Sequence, residues 1–436
     1  MKAVNFFRRG LRLALLFALS AGMSGAAAAQ QAANDDDLPL RELRVFADIF
    51  GKIKSDYIDS AEDAELLRDA IHGMLNGLDP HSAFLEPEEF DDMRVSTEGK
   101  FGGLGIEIVT EDGFIKVVAP IDDTPAMRAG ILPGDIIVKL DGESASGLDL
   151  RDAVGKLRGA PGSSVVLTIS RKGRGDFDVR LVRAIINVAS VKGELLEPDF
   201  GYLRITRFQS GTGGALRRDV ARLARENGRA LKGIALDLRN NPGGVLQGAV
   251  EVSNVFLADG VIVSTRGRHE RADYRASGAD MTGDVPMVVL VNGGSASAAE
   301  IVAGALQDHK RAIILGSRTF GKGSVQTVIP LENGGGLKLT TARYYTPSQR
   351  SIQARGIVPD IVVESRDSPV AHGDAGELRE ADLDGHLENE QSVSGGEETV
   401  ASRSKLLADD HQLSEALNLL KGMSLVKARG AAPGPG

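Results

Sequence analysis

The amino-acid sequence predicts a multidomain protein of α/β and β structure: a helical N-terminal region, a β-rich domain, a mixed α/β core and an acidic C-terminal tail with a helix. The length of 436 residues is enough for about two to four domains. Residues 101–183 alternate apolar and polar positions as β-strands do, whereas residues 188–363 alternate strand-like and helix-like runs. This change of pattern separates the β domain from the α/β core.

The composition excludes several kinds of chemistry. The chain has no cysteine, which excludes a disulfide scaffold, a thiol nucleophile, a cysteine-bound metal centre and a lipid-modified cysteine. Its formal net charge of −9 argues against a nucleic-acid partner, because such proteins usually carry a basic surface. Catalysis would therefore use a hydroxyl, carboxylate, histidine or lysine group, or a bound cofactor.

Residues 1–29 are predicted to be a signal peptide. Basic residues precede an apolar stretch over residues 13–21, and the small residues 27–29 match the A-x-A cleavage pattern before Gln30. An uncleaved membrane anchor is the alternative, but the apolar stretch is short for a span of about 20 residues. We expect an exported, periplasmic protein cleaved after Ala29.

Residues 30–97 are predicted to be mostly helical. Apolar residues such as Leu43 and Phe46 recur three or four positions apart, and residues 79–82 (Asp-Pro-His-Ser) predict a turn. Short helices of this kind bury their apolar faces only against the rest of the chain or another subunit. His81 is predicted to be a structural residue of the turn, because no second histidine lies at metal-ligand spacing.

Residues 98–185 form the β-rich domain, and they resemble a PDZ domain. The resemblance depends on a Gly-rich loop, on residues 125–131, on the Pro-Gly-Asp turn at 133–135 and on a helix over 148–157. The loop residues are Gly103, Leu104, Gly105 and Ile106. Glycines there let several N–H groups point into one concavity, which binds a carboxylate, and a peptide C-terminus then adds as a strand. A simple tight turn is the alternative.

Residues 186–365 are predicted to form a mixed, substantially parallel sheet with crossover helices. Buried strands are expected at residues 202–205, 233–238 and 287–291, and helices at 215–227 and 298–310.

Residues 316–322 nearly spell a phosphate-binding loop, which would make the chain a nucleotide hydrolase. Gly323 replaces the required hydroxyl residue, and residues 324–329 predict a strand where that loop must open a helix. Nucleotide binding is therefore disfavoured.

Residues 292–300 predict a buried strand end, a small-residue turn and a helix N-terminus, an arrangement that can present a nucleophile. Ser295 and Ser297 are equal candidates on these grounds. A plain capping box between Ser297 and Glu300 is the competing interpretation.

Residues 236–244 predict a second strand that ends in a turn, and Gly243 and Gly244 there could offer a backbone N–H to an oxyanion. The alternative is an ordinary strand-ending turn. His309 lies about three helical turns from Ser297, so a lysine in a dry site is the more economical base. If Lys322 and Gln326 share a strand face, Gln326 could hold the lysine amine.

Together these segments resemble the carboxy-terminal processing proteases, also called tail-specific proteases. The resemblance covers residues 79–82, the PDZ segment and residues 237–244, 294–300, 319–326, 345–347 and 356–360. It implies a crotonase-like serine-protease core. By position it also implies that Ser297 is the nucleophile, that Lys322 is the general base supported by Gln326, and that Ala298 and one of Gly243 and Gly244 supply the oxyanion hole.

The resemblance therefore implies an exported serine endopeptidase with a Ser-Lys dyad, no metal and no cofactor. Its partners would be protein or peptide substrates with free C-termini, and its terminal helices would form a homodimer. The residues leave open whether an adaptor or activator protein takes part. A non-catalytic PDZ scaffold protein that only binds peptides is the alternative.

The C-terminal part of the chain is less typical of that family. Residues 366–401 are strongly acidic and predict a solvated, disordered linker. In the last segment, residues 402–436, apolar residues at helical spacing predict an amphipathic helix over 402–420 before a flexible end.

Overall fold

The computed structural model describes residues 39–111, 113–364, 379–389 and 410–430. The predicted signal peptide, most of the predicted acidic linker and residues 431–436 lie outside the described residues. In the described part of the chain, no helix has the length and apolar character needed to cross a membrane. The chain divides after Ala70 into two compact units.

The first unit contains helix α1 (Leu40–Asp56) and the start of α2 (Asp63–Asn76). The predicted helical periodicity is present, yet no residue of α1 is buried. Leu43, Phe46 and Ile49 on α1 are each about half exposed. An ion pair of 2.7 Å between Lys54 Nζ and Asp63 Oδ1 joins the two helices.

The second unit begins with the rest of α2, followed by β1 (Ala83–Leu85), α3 (Pro87–Glu98) and the β-rich domain. The elements of that domain are β2 (Lys100–Gly103), β3 (Ile106–Glu111), β4 (Phe114–Pro120), α4 (Pro125–Arg128), β5 (Ile136–Leu140), β6 (Glu143–Ser144), α5 (Leu150–Leu157), β7 (Ser164–Arg171), β8 (Gly175–Val182) and β9 (Ala184–Asn187). Strands β3, β4, β5, β7 and β8 lie side by side in that order, β6 pairs with β5, and β2 pairs with β9. Strand β3 is therefore an edge strand.

The remaining elements form the α/β core. They are β10 (Val191–Glu197), β11 (Phe200–Ile205), α6 (Thr212–Glu226), β12 (Gly233–Asp237), α7 (Leu246–Phe256), β13 (Val261–Gly267), β14 (Arg271–Arg275), β15 (Met287–Val291), α8 (Ala298–Asp308), β16 (Ile313–Gly316), β17 (Ser324–Pro330), β18 (Gly336–Tyr345), β19 (Ile361–Val362) and α9 (His411–Gly430). A six-stranded sheet has the order β10-β11-β12-β15-β16-β19, and only the β10–β11 pair is antiparallel. A second, antiparallel sheet joins β1, β18, β13 and β14, with β17 on β18.

The six-stranded sheet is buried on both faces, as its apolar strands predict. Ile234 and Leu236 of β12 pack into one core with helices α6, α7 and α8. Ala235 between them points to the opposite face, where Ala416 and Leu420 of α9 cover it. The described strands and helices of this core confirm the mixed, largely parallel sheet.

The C-terminal part differs from the sequence prediction. Helix α9 continues to Gly430, ten residues beyond the predicted end, because its first proline comes only at Pro433. Within the predicted solvated linker, residues 379–389 hold a 3₁₀ turn, Glu380–Asp382, and Glu380 is fully buried. The contacts that bury Glu380 come from distant residues, so no local signal predicted them.

Candidate active site

Two turns meet at the carboxyl end of the parallel sheet. The glycine turn, residues 238–244, follows β12, and the serine turn, residues 292–297, follows the neighbouring strand β15. Asn240 N–H donates to Asn292 Oδ1 at 2.9 Å, and Ala296 N–H donates to the Asn241 carbonyl at 2.9 Å. Parallel strands place their carboxyl ends at one edge, which is where α/β folds form their sites.

The structure distinguishes the two candidate serines. Ser295 is fully buried, and its hydroxyl donates to the Leu238 carbonyl at 2.8 Å while it accepts from Asn292 N–H at 3.0 Å. Ser297 is the N-cap of α8 and is 8% exposed, and its hydroxyl shares a hydrogen bond with that of Tyr344. The Ser295 hydroxyl holds two strand ends together, whereas that of Ser297 lies at the helix N-terminus.

Ser297 has a strained backbone. Its φ is +53° and its ψ is −112°, which side chains with a Cβ rarely adopt. The N–H of Ala298, the first residue of α8, donates to no acceptor among the described residues. The helix dipole and this free donor both favour negative charge beside the Ser297 hydroxyl.

Glu300 connects the serine turn to the lysine loop, which we define as residues 319–323. Its Oε2 accepts from Ser297 N–H at 2.7 Å and from Lys322 N–H at 2.9 Å. Its Oε1 accepts from the Thr319 hydroxyl at 2.5 Å and from Gly321 N–H at 2.8 Å. Complete burial raises the pKa of Glu300 to about 7, while the four hydrogen bonds favour its ionised form.

This shared oxygen brings the backbones of the predicted nucleophile and base together. The nitrogen atoms of Ser297 and Lys322 are at most about 5.6 Å apart, since the two hydrogen bonds to it measure 2.7 and 2.9 Å. The predicted capping box between Ser297 and Glu300 is confirmed. The capping carboxylate thus also holds the loop that carries the lysine.

Lys322 has a largely buried amine. Burial lowers the pKa of Lys322 and the charge of Lys338 lowers it further, whereas Glu380, Glu300 and Asp79 act in the opposite direction. No hydrogen bond joins Nζ of Lys322 to Ser297 or to another described residue. A lysine in this environment gives up its proton more readily than one in water.

Gln326 lies on strand β17, whose presence confirms the predicted strand after Gly323. A bulge between Val325 and Gln326 interrupts the alternation of side chains, and Lys322 precedes the strand. The Gln326 amide donates to Ser324 Oγ at 3.0 Å and Thr340 Oγ1 at 3.2 Å. The predicted support of Lys322 by Gln326 stays a prediction.

The glycine turn lies against Ser297. A Cβ added at Gly243 would come within 2.8 Å of Ser297 Cβ. The N–H of Gly243 donates to Asn241 Oδ1 at 2.9 Å, whereas the N–H of Gly244 has no acceptor among the described residues. Of these two glycines, Gly244 is thus the one whose N–H has no partner among the described residues.

Asp79 and Glu380, which the sequence left in a structural turn and in a solvated linker, also act on the charge of Lys322, and His81 contacts Glu380. Asp79 is nearly buried and accepts from the N–H groups of His81 and Ser82 and from the hydroxyls of Ser82 and Thr340. His81 Nε2 lies 2.7 Å from Glu380 Oε1. The sequence of residues 79–82 predicted a turn but no contact with the lysine. No local pattern predicted that Glu380 would be buried. No group of three acidic or histidine residues suited to a metal ion occurs in the part of the chain that the structure describes.

The Gly-rich loop of the β domain, residues 103–106, leads from the end of β2 into the edge strand β3. Gly105 adopts φ +76°, and a Cβ there would come within 2.3 Å of Thr124. Leu104 and Gly105 donate their N–H groups to no described acceptor. Ile106 begins β3, which pairs on one side only, and Gly103 ends β2.

The comparisons with known proteins agree with this architecture. Residues 199–363 match peptidase family S41, and residues 116–171 match the PDZ domain. A carboxy-terminal-processing protease of Bartonella bacilliformis is 48% identical over 393 residues, which cover 89% of this chain and 90% of that protein. The carboxy-terminal processing protease CtpA of Bacillus subtilis is 35% identical, over 73% of this chain and 68% of that protein.

Among solved structures, one titled photosystem II D1 C-terminal processing protease is 33% identical, with a TM-score of 0.44, and the match covers 75% of this chain and 87% of that one. The fold and the sequence matches together define a peptidase with an embedded PDZ domain. The chain belongs to peptidase family S41, among the carboxy-terminal processing proteases.

Proposed function

We propose that the protein is an exported serine endopeptidase that captures the C-terminal end of protein substrates in its PDZ domain and cleaves them with a dyad of Ser297 and Lys322. The observation that carries this proposal is the shared Glu300 oxygen, which ties the backbone N–H groups of both residues. Lysine has four side-chain rotations, and contacts of this kind often tighten only when substrate binds. The separation of the backbones is within reach of a lysine side chain.

The chemistry runs in two halves. In the first, the Ser297 hydroxyl attacks the peptide carbonyl carbon and its proton moves to the neutral Lys322 amine. The collapsing intermediate breaks the C–N bond, and Lys322 gives that proton to the leaving amine. In the second, Lys322 removes a proton from water, whose oxygen attacks the acyl ester, and the proton returns to Ser297 as the new carboxyl end leaves.

The negative oxygen of each intermediate needs donors on one side of the serine. The free N–H of Ala298 at the start of α8 supplies one. The second is assigned to Gly244, because Gly243 N–H is already bonded to the Asn241 side chain. Gly243 then leaves room beside Ser297, where a side chain would block the substrate.

The PDZ domain supplies the recognition step. The free N–H groups of Leu104 and Gly105 suit a terminal carboxylate, and the open edge of β3 from Ile106 onward suits an added strand. An amidated peptide should therefore bind more weakly than the same peptide with a free carboxylate. Titration of both into the Ser297→Ala variant measures this, and equal affinities would refute carboxylate capture.

The decisive experiment separates the peptidase from a PDZ scaffold that only binds. Purified chain is incubated with a peptide that has an apolar, free C-terminus, and products are identified by mass spectrometry. Ser297→Ala and Lys322→Ala should each lower cleavage by roughly 10⁴-fold or more. Lys192→Ala removes an exposed lysine of β10 and serves as the matched control. Binding without turnover in the wild type would support the scaffold instead.

Export and assembly complete the proposal. Residues 1–29 have the pattern of a cleaved signal, so the periplasmic protein should begin at Gln30, and N-terminal sequencing tests this against a membrane-anchored form. The exposed apolar residues of α1 support a homodimer. Phe46→Glu should then lower the mass measured by light scattering, and an adaptor would show as a rise in turnover on adding periplasmic extract.

A further inference from the structure

Residues 379–389, here called the C-terminal segment, contact the lysine loop although a long stretch of sequence separates them from it. Glu380 N–H donates to the carbonyl of Phe320, two residues before Lys322, at 3.2 Å. At the other end of the segment, Asn389 Nδ2 donates to the Gln353 carbonyl at 2.7 Å. The segment is therefore fixed at both ends beside the loop that carries the proposed base.

The side chain of Glu380 connects three parts of the core. Its carboxylate is fully buried, lies 2.7 Å from His81 Nε2 and accepts from Gln353 Nε2 at 3.0 Å. The oxygen of the Gln353 amide accepts from Gly323 N–H at 3.0 Å, directly after Lys322. Glu380 is thus linked to the lysine loop through its own N–H and through Gln353.

The charges that face Lys322 come from four elements. Glu300 lies on α8, Lys338 on β18, Asp79 in the turn at residues 79–82, and Glu380 in the C-terminal segment. Hydrogen bonds from His81 and Gln353 hold the pKa of Glu380 below its usual value, although burial alone would raise it. Glu380 therefore presents a negative charge to the lysine at neutral pH.

We propose that Glu380 is a positioning residue for the Ser297–Lys322 dyad, delivered by the C-terminal segment to a place between the turn at residues 79–82 and the lysine loop. There it fixes the loop and faces the lysine amine with its carboxylate. The inference rests on the proposed function, because positioning matters only if Lys322 is the base. It gives a role to His81 and to a part of the acidic tail.

The test uses full-length Glu380→Ala and Glu380→Gln, with kcat and KM measured across the pH range. Glu380→Ala should lower kcat roughly 100-fold with little change in KM, because a displaced base loses near-attack geometry. Glu380→Gln keeps an oxygen acceptor for His81 and Gln353, so it should recover most of kcat. The acidic limb of the kcat–pH profile of Glu380→Gln should move to lower pH. The negative charge that favours the protonated amine of Lys322 is gone in this variant.

Asp384→Asn is the matched control, since it removes one charge from an exposed position of the same segment. It should leave kcat and the acidic limb unchanged. A Glu380→Ala enzyme with wild-type kcat and pH profile would overturn the proposal. A more active Glu380→Ala enzyme would overturn it too, because the segment would then be inhibitory. So would a Glu380→Gln enzyme whose acidic limb does not move.

A second readout does not depend on cleavage. Trace labelling of lysine amines with acetic anhydride at a series of pH values, followed by mass spectrometry, gives the midpoint for Lys322 in the Ser297→Ala background. Adding Glu380→Gln should lower that midpoint, and an unchanged midpoint would contradict the proposal. If wild-type protein cleaves no substrate while this shift occurs, the proposed function fails and the placement of Glu380 stands.

Discussion

In the PDZ domain, the N–H groups of Leu104 and Gly105 face no described acceptor beside the open edge of β3. In the peptidase core, every backbone N–H of the lysine loop is hydrogen-bonded, two of them to Glu300 and one to Gln353. Recognition of a peptide C-terminus requires backbone N–H groups that have no hydrogen-bond partner in the free protein. Precise placement of a catalytic base instead requires that the backbone N–H groups of its loop are hydrogen-bonded within the protein.

The two regions also differ in where they keep charge. The core buries Glu300, Glu380 and Asp237 completely. Among its described residues, the PDZ domain has one nearly buried carboxylate, Asp135, paired with Arg171 by two contacts of 2.6 Å. The difference indicates that substitutions of buried carboxylates damage the core most, whereas backbone changes at one loop damage the PDZ domain.

The largest loss of stability is expected for Glu300→Gln. In this variant the glutamine amide nitrogen replaces one carboxylate oxygen, and it would face at least one backbone N–H that now donates to that oxygen. The serine turn and the lysine loop would then lose the hydrogen bonds that they share. We expect the free energy of unfolding to fall by about 3 kcal/mol and cleavage by roughly 10³-fold. Urea denaturation and peptide cleavage measure the two.

Glu194→Gln is the control for this change, because Glu194 is an exposed carboxylate of the same core. It should alter neither quantity. Wild-type cleavage by Glu300→Gln would show that the shared carboxylate has no part in placing the proposed dyad.

Gly105→Ala tests the free N–H groups of the PDZ domain. The new Cβ would overlap Thr124, and φ +76° is unfavourable for alanine, so the loop must shift and its free N–H groups with it. We expect peptide affinity to fall about tenfold, or roughly 1.4 kcal/mol. Calorimetric titration measures it, with Gly51→Ala on α1, where nothing lies within 4 Å, as the control. Unchanged affinity would place peptide capture elsewhere.

Lys322→Met should separate stability from activity. Burial disfavours the lysine charge, so an apolar side chain of similar length removes that cost while it removes the proposed base. We expect cleavage to be abolished and the free energy of unfolding to rise by about 1 kcal/mol. A loss of stability in urea denaturation would mean that the lysine charge is well compensated.

The smallest effect concerns pH, and its sign is opposite in the two regions. Hydrogen bonds from Arg171 and Leu132 N–H hold the pKa of Asp135 below its usual value although burial opposes them, so this stabilisation is lost as pH falls below about 4. Burial raises the pKa of Glu300 to about 7, so its contribution is largest below about pH 4.5 and is lost as pH rises through 7.

Unfolding of Asp135→Asn and Glu300→Gln at several pH values therefore tests the contrast. Relative to wild type, the stability gap of Asp135→Asn should shrink in acid. The gap of Glu300→Gln should widen between pH 8 and 5. Parallel trends for the two variants would contradict the assigned environments.

The sequence predicted the elements that depend on local patterns. Strand β15 has its predicted bounds, Met287–Val291, and β17 begins at the predicted Ser324, because runs of β-branched and apolar residues between turns carry a strong local signal. The sequence could not separate Ser295 from Ser297. Their difference lies in a hydrogen bond from Ser295 to the carbonyl of Leu238, 57 residues away in the chain.

The burial of Glu380 in the acidic C-terminal tail could not be predicted from the sequence either. An acidic, polar stretch predicts a solvated linker, and composition alone holds no sign that one of its carboxylates is buried. Glu380 is buried because His81, 299 residues earlier, and Gln353, 27 residues earlier, supply hydrogen bonds. Such long-range pairs become visible only when the chain is folded.

Helix α9 has a further consequence for biosynthesis. Its Ala416 and Leu420 seal the face of the sheet that includes Ala235, Val288 and Leu290, on the strands from which the glycine and serine turns emerge. A nascent chain that has been synthesised only as far as Lys322 contains both Ser297 and Lys322. It still lacks Glu380 and helix α9. Synthesis must therefore pass Leu420 before α9 can cover this face of the sheet.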